Sequence, residues 1–279
     1  MSELNLELIE YINTSRLVWL LIFPYDDNEL ENKMKNALLI TLIGTIFISG
    51  GAVAQERHTK DPRNASGKIG VEVDHHGELK LAFGNGAKNW YGENENEVIF
   101  LLEFETESND GRFRFVNFDD RFGGIYADII STKNESVLNT VGYMLPITAD
   151  NGNTLFFPSI NYSYLAVDEK NSLRSDVPKE FGGGNNSHLS SLNLYILHPW
   201  NDTHFTFIEM FGGHSFDGVE MEMYDLCWTQ GMNSTILNSP ATVYFKGQYT
   251  RTEVFGEFAP NGSINDEETT FSFGLDIKF

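Results

Sequence analysis

The spacing closest to a catalytic pattern in this sequence is a histidine two residues before a serine. His188 and Ser190 would share one face of a β-strand, and Glu209 is the carboxylate that could complete a catalytic triad with them. The sequence has no G-x-S-x-G nucleophile elbow, and a His-x-Ser spacing arises often by chance. We therefore expect no catalytic residues and no enzymatic activity, with a lipid-modifying enzyme as an alternative.

Other histidines and the single cysteine were considered as metal ligands. His198 and His204 lie on either side of a Pro-Trp pair, with His214 further along the chain, and this placement is typical of a turn at strand ends. Cys227 can form neither a disulfide nor a cysteine zinc site, because there is no second cysteine. We expect no metal and no cofactor.

A second group of charged side chains lies on segments in which apolar and polar residues alternate. In residues 97–106 the apolar residues share one face, and Glu103 and Glu105 lie on the other. Charged side chains are costly against lipid, at about 2–4 kcal/mol for a basic residue at the midplane, so they are expected to face the inside of a barrel. The residues predicted to line this polar interior and solute path are Glu103, Glu105, Arg112, Arg114, Asn161, Lys246, Asp276 and Lys278.

Ten alternating segments follow one another from about residue 97 to the C-terminus, and most are about ten residues long. A tilted strand needs about that length to cross a bilayer, whereas strands in soluble proteins more often have about five or six residues. The pattern predicts an all-β fold, a closed antiparallel transmembrane β-barrel of 10–12 strands. The alternative is a secreted soluble β-sandwich, in which the apolar faces pack against each other.

Aromatic residues near the segment ends and the lengths of the connections agree with this fold. We predict interfacial positions for Trp200, Trp228, Tyr244 and Tyr249. Asn109–Gly111 is a tight hairpin signal, and Gln230–Ala241 is predicted to be a long polar loop. Short turns at one end and long loops at the other are typical of outer-membrane barrels.

The N-terminal region predicts an export signal. Residues 34–54 have a basic start, an apolar run of about a dozen residues and a small-x-small ending at Ala52 and Ala54. The run is shorter than the roughly 20 residues of a membrane-spanning helix. We predict cleavage near Ala54, with residues 1–33 a doubtful upstream extension. Residues 55–96 would be an N-terminal segment with room for a first hairpin, and 97–279 the barrel.

The charge balance excludes one class of partner. The sequence has 19 Lys and Arg against 40 Asp and Glu, a formal net charge of −21. Proteins that bind nucleic acid along its phosphates need basic stripes. We therefore expect no nucleic-acid partner.

The last nine residues resemble the C-terminal β-signal of bacterial outer-membrane proteins. Phe271 and Phe273 alternate with polar residues, and Phe279 ends the chain. The resemblance implies a place in the bacterial outer membrane, in contact with outer-membrane lipid and lipopolysaccharide. It also implies the barrel-assembly machinery as a partner.

Residues 97–124 resemble the early hairpin of the nucleoside-specific channel-forming outer-membrane family, in which an acidic-aromatic strand leads into a strand rich in Phe and Asp. The resemblance implies a passive channel for small polar or aromatic solutes, nucleosides among them. Two alternatives remain open at this point: a filled structural or adhesion barrel that acts through its long loops, and the lipid-modifying enzyme named above.

Overall fold

The computed structural model describes residues 58, 60–88, 96–119, 121–132, 136–150, 152–167, 186–236, 238–255 and 264–279. Every regular element in these ranges is a β-strand. The strands are β1 (Lys68–Asp74), β2 (Leu79–Lys88), β3 (Asn96–Glu105), β4 (Gly111–Asp119), β5 (Gly123–Thr132), β6 (Ser136–Met144), β7 (Ile147–Thr148), β8 (Leu155–Val167), β9 (Asn186–Pro199), β10 (His204–Gly218), β11 (Met221–Ile236), β12 (Ser239–Val254) and β13 (Ile264–Lys278). The predicted signal peptide and the extension before it lie outside the described residues.

The strands form one antiparallel sheet that closes on itself. Neighbours in sequence pair with each other, β6 pairs with β8, and β1 pairs with β13 from Lys68↔Lys278 to Asp74↔Ser272. The two-residue β7 only extends one edge of β8, so the closed barrel has twelve strands. Closure gives each strand a partner on both sides, as hydrocarbon surroundings require. The predicted transmembrane barrel of 10–12 strands is confirmed, and the soluble sandwich is excluded.

No helix within the described ranges is long and apolar enough to cross a membrane.

The outer surface of the barrel carries a belt of apolar side chains. Ile160, Leu192 and Phe273 point outward and are 74%, 62% and 68% exposed. The residues that follow them in sequence point inward, and Asn161 and Asn193 there are buried. Because side chains alternate between the two faces of a strand, this arrangement places an apolar belt against lipid and polar groups inside.

The hairpin that begins the barrel lies before the region first assigned to it. β1 and β2 pair from Lys68↔Gly84 to Val73↔Leu79, and β2 then pairs with β3. They fall within residues 55–96, where the sequence had room for a first hairpin. The barrel therefore starts at Lys68.

The prediction of a long loop at Gln230–Ala241 is wrong. β11 and β12 pair as far as Ile236↔Ser239, and Asn238 takes a left-handed conformation with φ 66°. A tight turn needs that conformation, which asparagine tolerates better than most residues. The polar side chains that suggested a loop lie on strands at the end of the barrel.

We call the end where β1 begins and β13 ends the terminal end, and the opposite end the far end. The chain passes the far end between β1 and β2, β3 and β4, β5 and β6, β8 and β9, β10 and β11, and β12 and β13. The short connection 106–110 lies at this end, and so do the strand ends joined by residues 168–185, which are themselves outside the described residues. The expected separation of short turns from long loops is not found.

Apolar side chains also point into the barrel near both ends. The cluster at the terminal end contains Phe118, Tyr126, Met144, Phe157, Tyr195, Leu197, Phe205 and Phe207, with Val116 beside them. A smaller cluster at the far end contains Leu138, Leu165, Leu189, Met221 and Val254. Between the two clusters the inner wall carries charged and hydrogen-bonding groups.

Candidate functional site

The candidate site is a cavity of about 180 Å³ in the middle of the barrel interior. Its lining includes Glu72, Glu103, Arg114, Lys246 and Asp276. These residues come from strands far apart in the sequence, and the alternation of each strand turns them to the inside. Acidic and basic groups are interleaved around the cavity, so their charges are largely neutralised by one another.

Arg112 and Asp128 form a bidentate ion pair in the wall of the cavity. Arg112 Nη2 lies 2.6 Å from Asp128 Oδ2, and Nε lies 3.0 Å from Oδ1. The hydroxyl of Tyr126 donates to the same carboxylate at 2.7 Å and lies 2.9 Å from the hydroxyl of Tyr195. The network links β4, β5 and β9 and fixes these side chains in place.

Arg114 bridges opposite sides of the barrel. Its Nη2 donates to Glu103 Oε2 on the neighbouring strand at 2.8 Å, and its Nη1 lies 3.4 Å from Glu209 Oε2 on β10. β4 and β10 are separated by four strands in one direction around the barrel and by six in the other. The side chains of Glu103, Arg114 and Glu209 therefore form a bar across the interior, which we call the crossbar.

The prediction that Tyr244 lies at the membrane interface is wrong. Tyr244 is 7% exposed, and its hydroxyl donates to Glu72 Oε2 at 3.1 Å inside the barrel. Lys246 forms an ion pair with the same Glu72 carboxylate. Tyr244 and Lys246 are two residues apart on β12, so their side chains lie on the same face of the strand. Their shared partner Glu72 lies inside, which identifies this as the inner face.

A short segment before the first strand, residues 60–66, enters the barrel at the terminal end. Lys60 Nζ lies 2.9 Å from Asp276 Oδ2 and 3.9 Å from the centre of the Tyr244 ring. Arg63 lies over the Phe157 ring at 5.3 Å. The sequence analysis missed this segment, since no periodicity marks it. Its only signal is two basic residues, Lys60 and Arg63, close together within an acidic chain.

His58 lies at the start of this segment and packs against the terminal-end cluster. Its ring meets the Phe205 ring edge-on, with centroids 4.5 Å apart, and its Nε2 lies 3.4 Å from Asn233 Nδ2. Burial, with Lys278 nearby, lowers the pKa of His58 to about 4. The ring is therefore neutral at pH 7.

The wall formed by β6, β8 and β9 is polar but uncharged. Hydroxyl groups of Thr140, Ser163 and Ser191 form a chain with two oxygen–oxygen distances of 2.9 Å. The buried side-chain amide of Asn161 has no hydrogen-bond partner for either its nitrogen or its oxygen, and Asn193 Oδ1 has none. Groups of this kind can receive water or a polar solute.

The remaining predicted interior residues lie nearer the barrel ends. Glu105 forms an ion pair with Lys80 at 2.6 Å toward the far end. Lys278 is the last residue of β13, at the terminal end, opposite Lys68 in the register. They do not join the crossbar.

The predicted interfacial and assembly residues are found at the outer surface, apart from Tyr244. Trp200 is 64% exposed in the turn between β9 and β10, and Trp228 points outward midway along β11. Tyr249 on β12 also points outward, because its register partner Leu226 lies on the same face of β11 as Trp228. Phe271 and Phe273 are exposed, and the amide of Phe279 donates to the Gly67 carbonyl at 3.1 Å.

The structure separates the residues considered for a triad. His188 and Ser190 point outward, and His188 Nδ1 lies 2.6 Å from the Tyr162 hydroxyl. Glu209 lies inside the barrel in the crossbar. It cannot act with His188 and Ser190. Within the described ranges no group of three His, Cys, Asp or Glu side chains is placed to hold a metal ion.

No family model matches the sequence, and no curated protein matches it. Solved structures of similar shape include the NanC porin, with a TM-score of 0.47 and 9% identity over 77% of this chain and all of that one. BamA from Haemophilus ducreyi lacking POTRA domains 1–3 gives a TM-score of 0.40 and 13% identity over 78% of this chain and 49% of that one. A mutant of the Rh. blastica porin gives 0.18 and 10% identity over 76% and 98% of the two chains.

Proposed function

We propose that this protein is a passive channel for small polar solutes in the bacterial outer membrane. The observation that carries the proposal is a cavity of about 180 Å³ with a wall of paired charges, enclosed in a closed barrel with an apolar outer belt. A barrel that served only as a rigid support could fill this space with apolar side chains at lower cost, because burying charges carries a desolvation penalty.

The crossbar and the segment of residues 60–66 would set the size of solute that passes. Arg114 crosses the interior between the two ends of the barrel. Lys60 holds the segment against Asp276, which lies nearer the terminal end. A solute moving between the two ends would exchange its water for the side chains of this wall. A wall that carries both acidic and basic groups favours solutes that are neutral or zwitterionic and rich in hydrogen-bonding groups.

We further propose that solutes with an aromatic ring, such as nucleosides, are among those that pass. Tyr126, Tyr195, Phe207 and Tyr244 border the cavity beside the hydrogen-bonding groups. Stacking of a base on an aromatic side chain contributes about 1–3 kcal/mol. This proposal agrees with the resemblance of residues 97–124.

Proteoliposomes containing the purified protein test both proposals. We expect swelling in nucleosides and small neutral sugars, with faster entry of nucleosides, and small ion conductance in planar bilayers. Vesicles that swell in no solute contradict the channel. Equal entry of nucleosides and sugars of the same size contradicts the aromatic preference alone.

The second candidate, a filled structural or adhesion barrel, is favoured by one observation. Apolar clusters point into the barrel at both ends and the crossbar spans its middle. On this alternative, neither solutes nor ions pass in the native protein or in a variant without the crossbar. The conductance of Arg114→Ala therefore separates the two candidates.

A further inference from the structure

Three polar residues lie in a row on the outer face of the barrel. In the register of the sheet, Ser190 on β9 is the direct partner of His214 on β10, and His214 is the direct partner of Glu222 on β11. Ser190 and His214 are exposed, while their sequence neighbours Leu189, Ser191, Gly213 and Ser215 are buried inside. All three side chains of the row therefore point outward.

The imidazole of His214 is oriented as the base of a triad must be. Its Nδ1 lies 3.2 Å from Glu222 Oε1, and the other oxygen of Glu222 accepts a hydrogen bond from the Tyr224 hydroxyl at 2.9 Å. A carboxylate on Nδ1 leaves Nε2 to accept the proton of a serine. Side chains directly opposite each other on paired antiparallel strands have Cβ atoms about 4.5–5.5 Å apart, so Ser190 is within reach of this ring.

The row lies at the far-end border of the apolar belt. One step toward the terminal end on the same face are Leu192 on β9 and Tyr224 on β11, both exposed. One step toward the far end on β10 is the exposed Phe216. Beyond it lie Asp217 and the turn that joins β10 to β11, which contains Glu220. In a bilayer this border is the boundary between acyl chains and head groups, where the ester bonds of lipids lie.

A shallow groove leads from the row into the apolar belt. Gly212 forms its floor between its register partners Leu192 and Tyr224. A Cβ added to Gly212 would meet only the Tyr224 ring, at 3.7 Å. The outer surface is therefore open over Gly212, on the side of His214 that faces the apolar belt, where the acyl chain of a bound lipid would lie.

We propose that Ser190, His214 and Glu222 form an esterase site that hydrolyses a carboxylic ester of a membrane lipid. This activity is separate from solute passage, because the triad lies on the opposite side of the barrel wall from the cavity. It uses Ser190 with a different base and acid from those considered in the sequence.

In the first step Ser190 Oγ attacks the ester carbonyl carbon and its proton moves to His214 Nε2. The bond to the alcohol oxygen then breaks, and that oxygen takes the proton from His214, leaving an acyl ester on Ser190. A water molecule gives a proton to His214 and attacks the acyl carbon. The bond between the acyl carbon and Ser190 Oγ then breaks, and Oγ regains its proton from His214. The free fatty acid is released.

A β-bulge lies beside the row, at the position where a donor for the oxyanion is needed. The register of β9 and β10 shifts between Ser215↔Leu189 and Asp217↔His188, which leaves Phe216 without a partner. Bulges of this kind release a backbone group from the ladder and occur next to active sites. We assign the Phe216 N–H to the carbonyl oxygen of the substrate.

The test uses the full-length protein in vesicles that contain an ester-linked phospholipid, with a fluorophosphonate as an active-site probe. We expect release of fatty acid and one labelled peptide, which contains Ser190. Ser190→Ala and His214→Ala should each lower hydrolysis at least about 100-fold, and Glu222→Gln by less, because its role is to orient His214. Ser131→Ala is the matched control, since Ser131 is also exposed and outward on β5 but has Gly111 and Val137 as partners.

Three outcomes would overturn the proposal. These are absence of fatty-acid release by the folded protein, labelling at a residue other than Ser190, or full activity of Ser190→Ala. Gly212→Leu fills the groove and should lower lipid hydrolysis without changing the fluorophosphonate labelling. If Gly212→Leu leaves lipid hydrolysis unchanged, or if only a short water-soluble ester is cleaved, a membrane lipid is not the substrate. Solute swelling is measured on the same vesicles, so failure of the channel and failure of the esterase are seen separately.

Discussion

Arg114 on β4 and Glu209 on β10 approach to 3.4 Å although they lie 95 residues apart and on opposite sides of the barrel. Glu103 holds the other end of the guanidinium group at 2.8 Å. The bar formed by these three side chains crosses the interior of the cylinder and occupies part of its width. The width of the interior is thus set by long charged side chains as well as by the number of strands.

Removing the crossbar should open the barrel. We expect Arg114→Ala to raise single-channel conductance several-fold in planar bilayers, because the long side chain leaves the middle of the interior. The same change leaves Glu103 and Glu209 without their main partner and should cost about 3–5 kcal/mol of unfolding free energy, measured in urea. Arg251→Ala is the control, since Arg251 lies at the far-end rim and pairs with Glu253 there. Unchanged conductance in Arg114→Ala would contradict the assigned constriction.

The pair of Lys60 and Asp276 should anchor the N-terminal segment. Both side chains are largely buried, at 15% and 7% exposure, so Lys60→Met removes the nearest cation from a buried carboxylate and should destabilise the barrel. The double variant Lys60→Met, Asp276→Leu should recover part of this loss, because two apolar groups replace two charges. Heat-induced gel-shift midpoints of the four proteins form a double-mutant cycle. Additive effects would show that the two residues do not interact.

Gly142 should not tolerate a side chain. A Cβ there would overlap Asn161 Oδ1 and the carbonyl oxygen of Ile160 on β8. We expect Gly142→Ala to lower the unfolding free energy by about 1–3 kcal/mol through overpacking. Gly247 provides a matched strand position, where a Cβ would meet only the Phe271 ring at 3.4 Å. Equal urea midpoints for the two alanine variants would argue against close packing at Gly142.

A charged side chain in the outer belt should destabilise the folded barrel in lipid. Phe273 is 68% exposed on the outer face of β13, and we expect Phe273→Lys to cost about 2–4 kcal/mol for folding into lipid vesicles if it lies near the midplane. Phe122→Lys tests a residue of similar exposure, 63%, in a turn at the terminal end, where water is available. The difference between the two variants should vanish if the belt does not face lipid.

Acid should loosen the N-terminal segment through His58. The folded pKa of about 4 lies below the value of about 6.5 for an unfolded histidine, so the unfolded state binds more protons between these two values. The stabilisation is complete above pH 6.5 and is lost as the pH falls toward 4. Protease cleavage near residue 60 at pH 7 and pH 5 measures this effect, with His76→Phe, in the exposed β1–β2 turn, as the control. His58→Phe should remove the His58 contribution, whereas an unchanged pH dependence would assign it to another group.

The faces of many strands could be predicted from the sequence. On β9, Leu192 alternates with Ser191 and Asn193, and on β4 Arg112 and Arg114 alternate with phenylalanines, so one face is plainly polar. Apolar and polar residues alternate along a strand when its two faces meet different environments. Here one face meets lipid and the other a polar interior, so the alternation is strong.

Residues that are apolar on the inner face could not be assigned in this way. Leu189, Leu197, Phe157 and Phe205 point into the barrel and join the apolar clusters. At Phe157 both faces of the strand are apolar, so the alternation disappears. At Leu189 and Phe205 the outward neighbours are polar, so the alternation predicts the wrong face. Tyr244 was misplaced because an aromatic ring with a hydroxyl suits both a membrane interface and a buried hydrogen bond.

The contacts across the barrel were beyond sequence reasoning. The pairing of Arg114 with Glu209 joins two strands that do not follow one another in the chain. The row from Ser190 to Glu222 depends on the register of three consecutive strands and on the bulge between two of them. A shift of one residue in any of these strands would reverse the face of each side chain on it. Only the complete register brings these groups together.

The seam between β1 and β13 has a consequence for biogenesis. It joins Lys68 to Lys278, so the cylinder remains open along one side until the last strand has been synthesised. Until then two strand edges carry free backbone groups that can pair with other chains. Contacts so distant in sequence also form slowly. The nascent polypeptide must therefore be kept from aggregating during transit, and chains that end before Ile264 should accumulate as substrates for proteolysis.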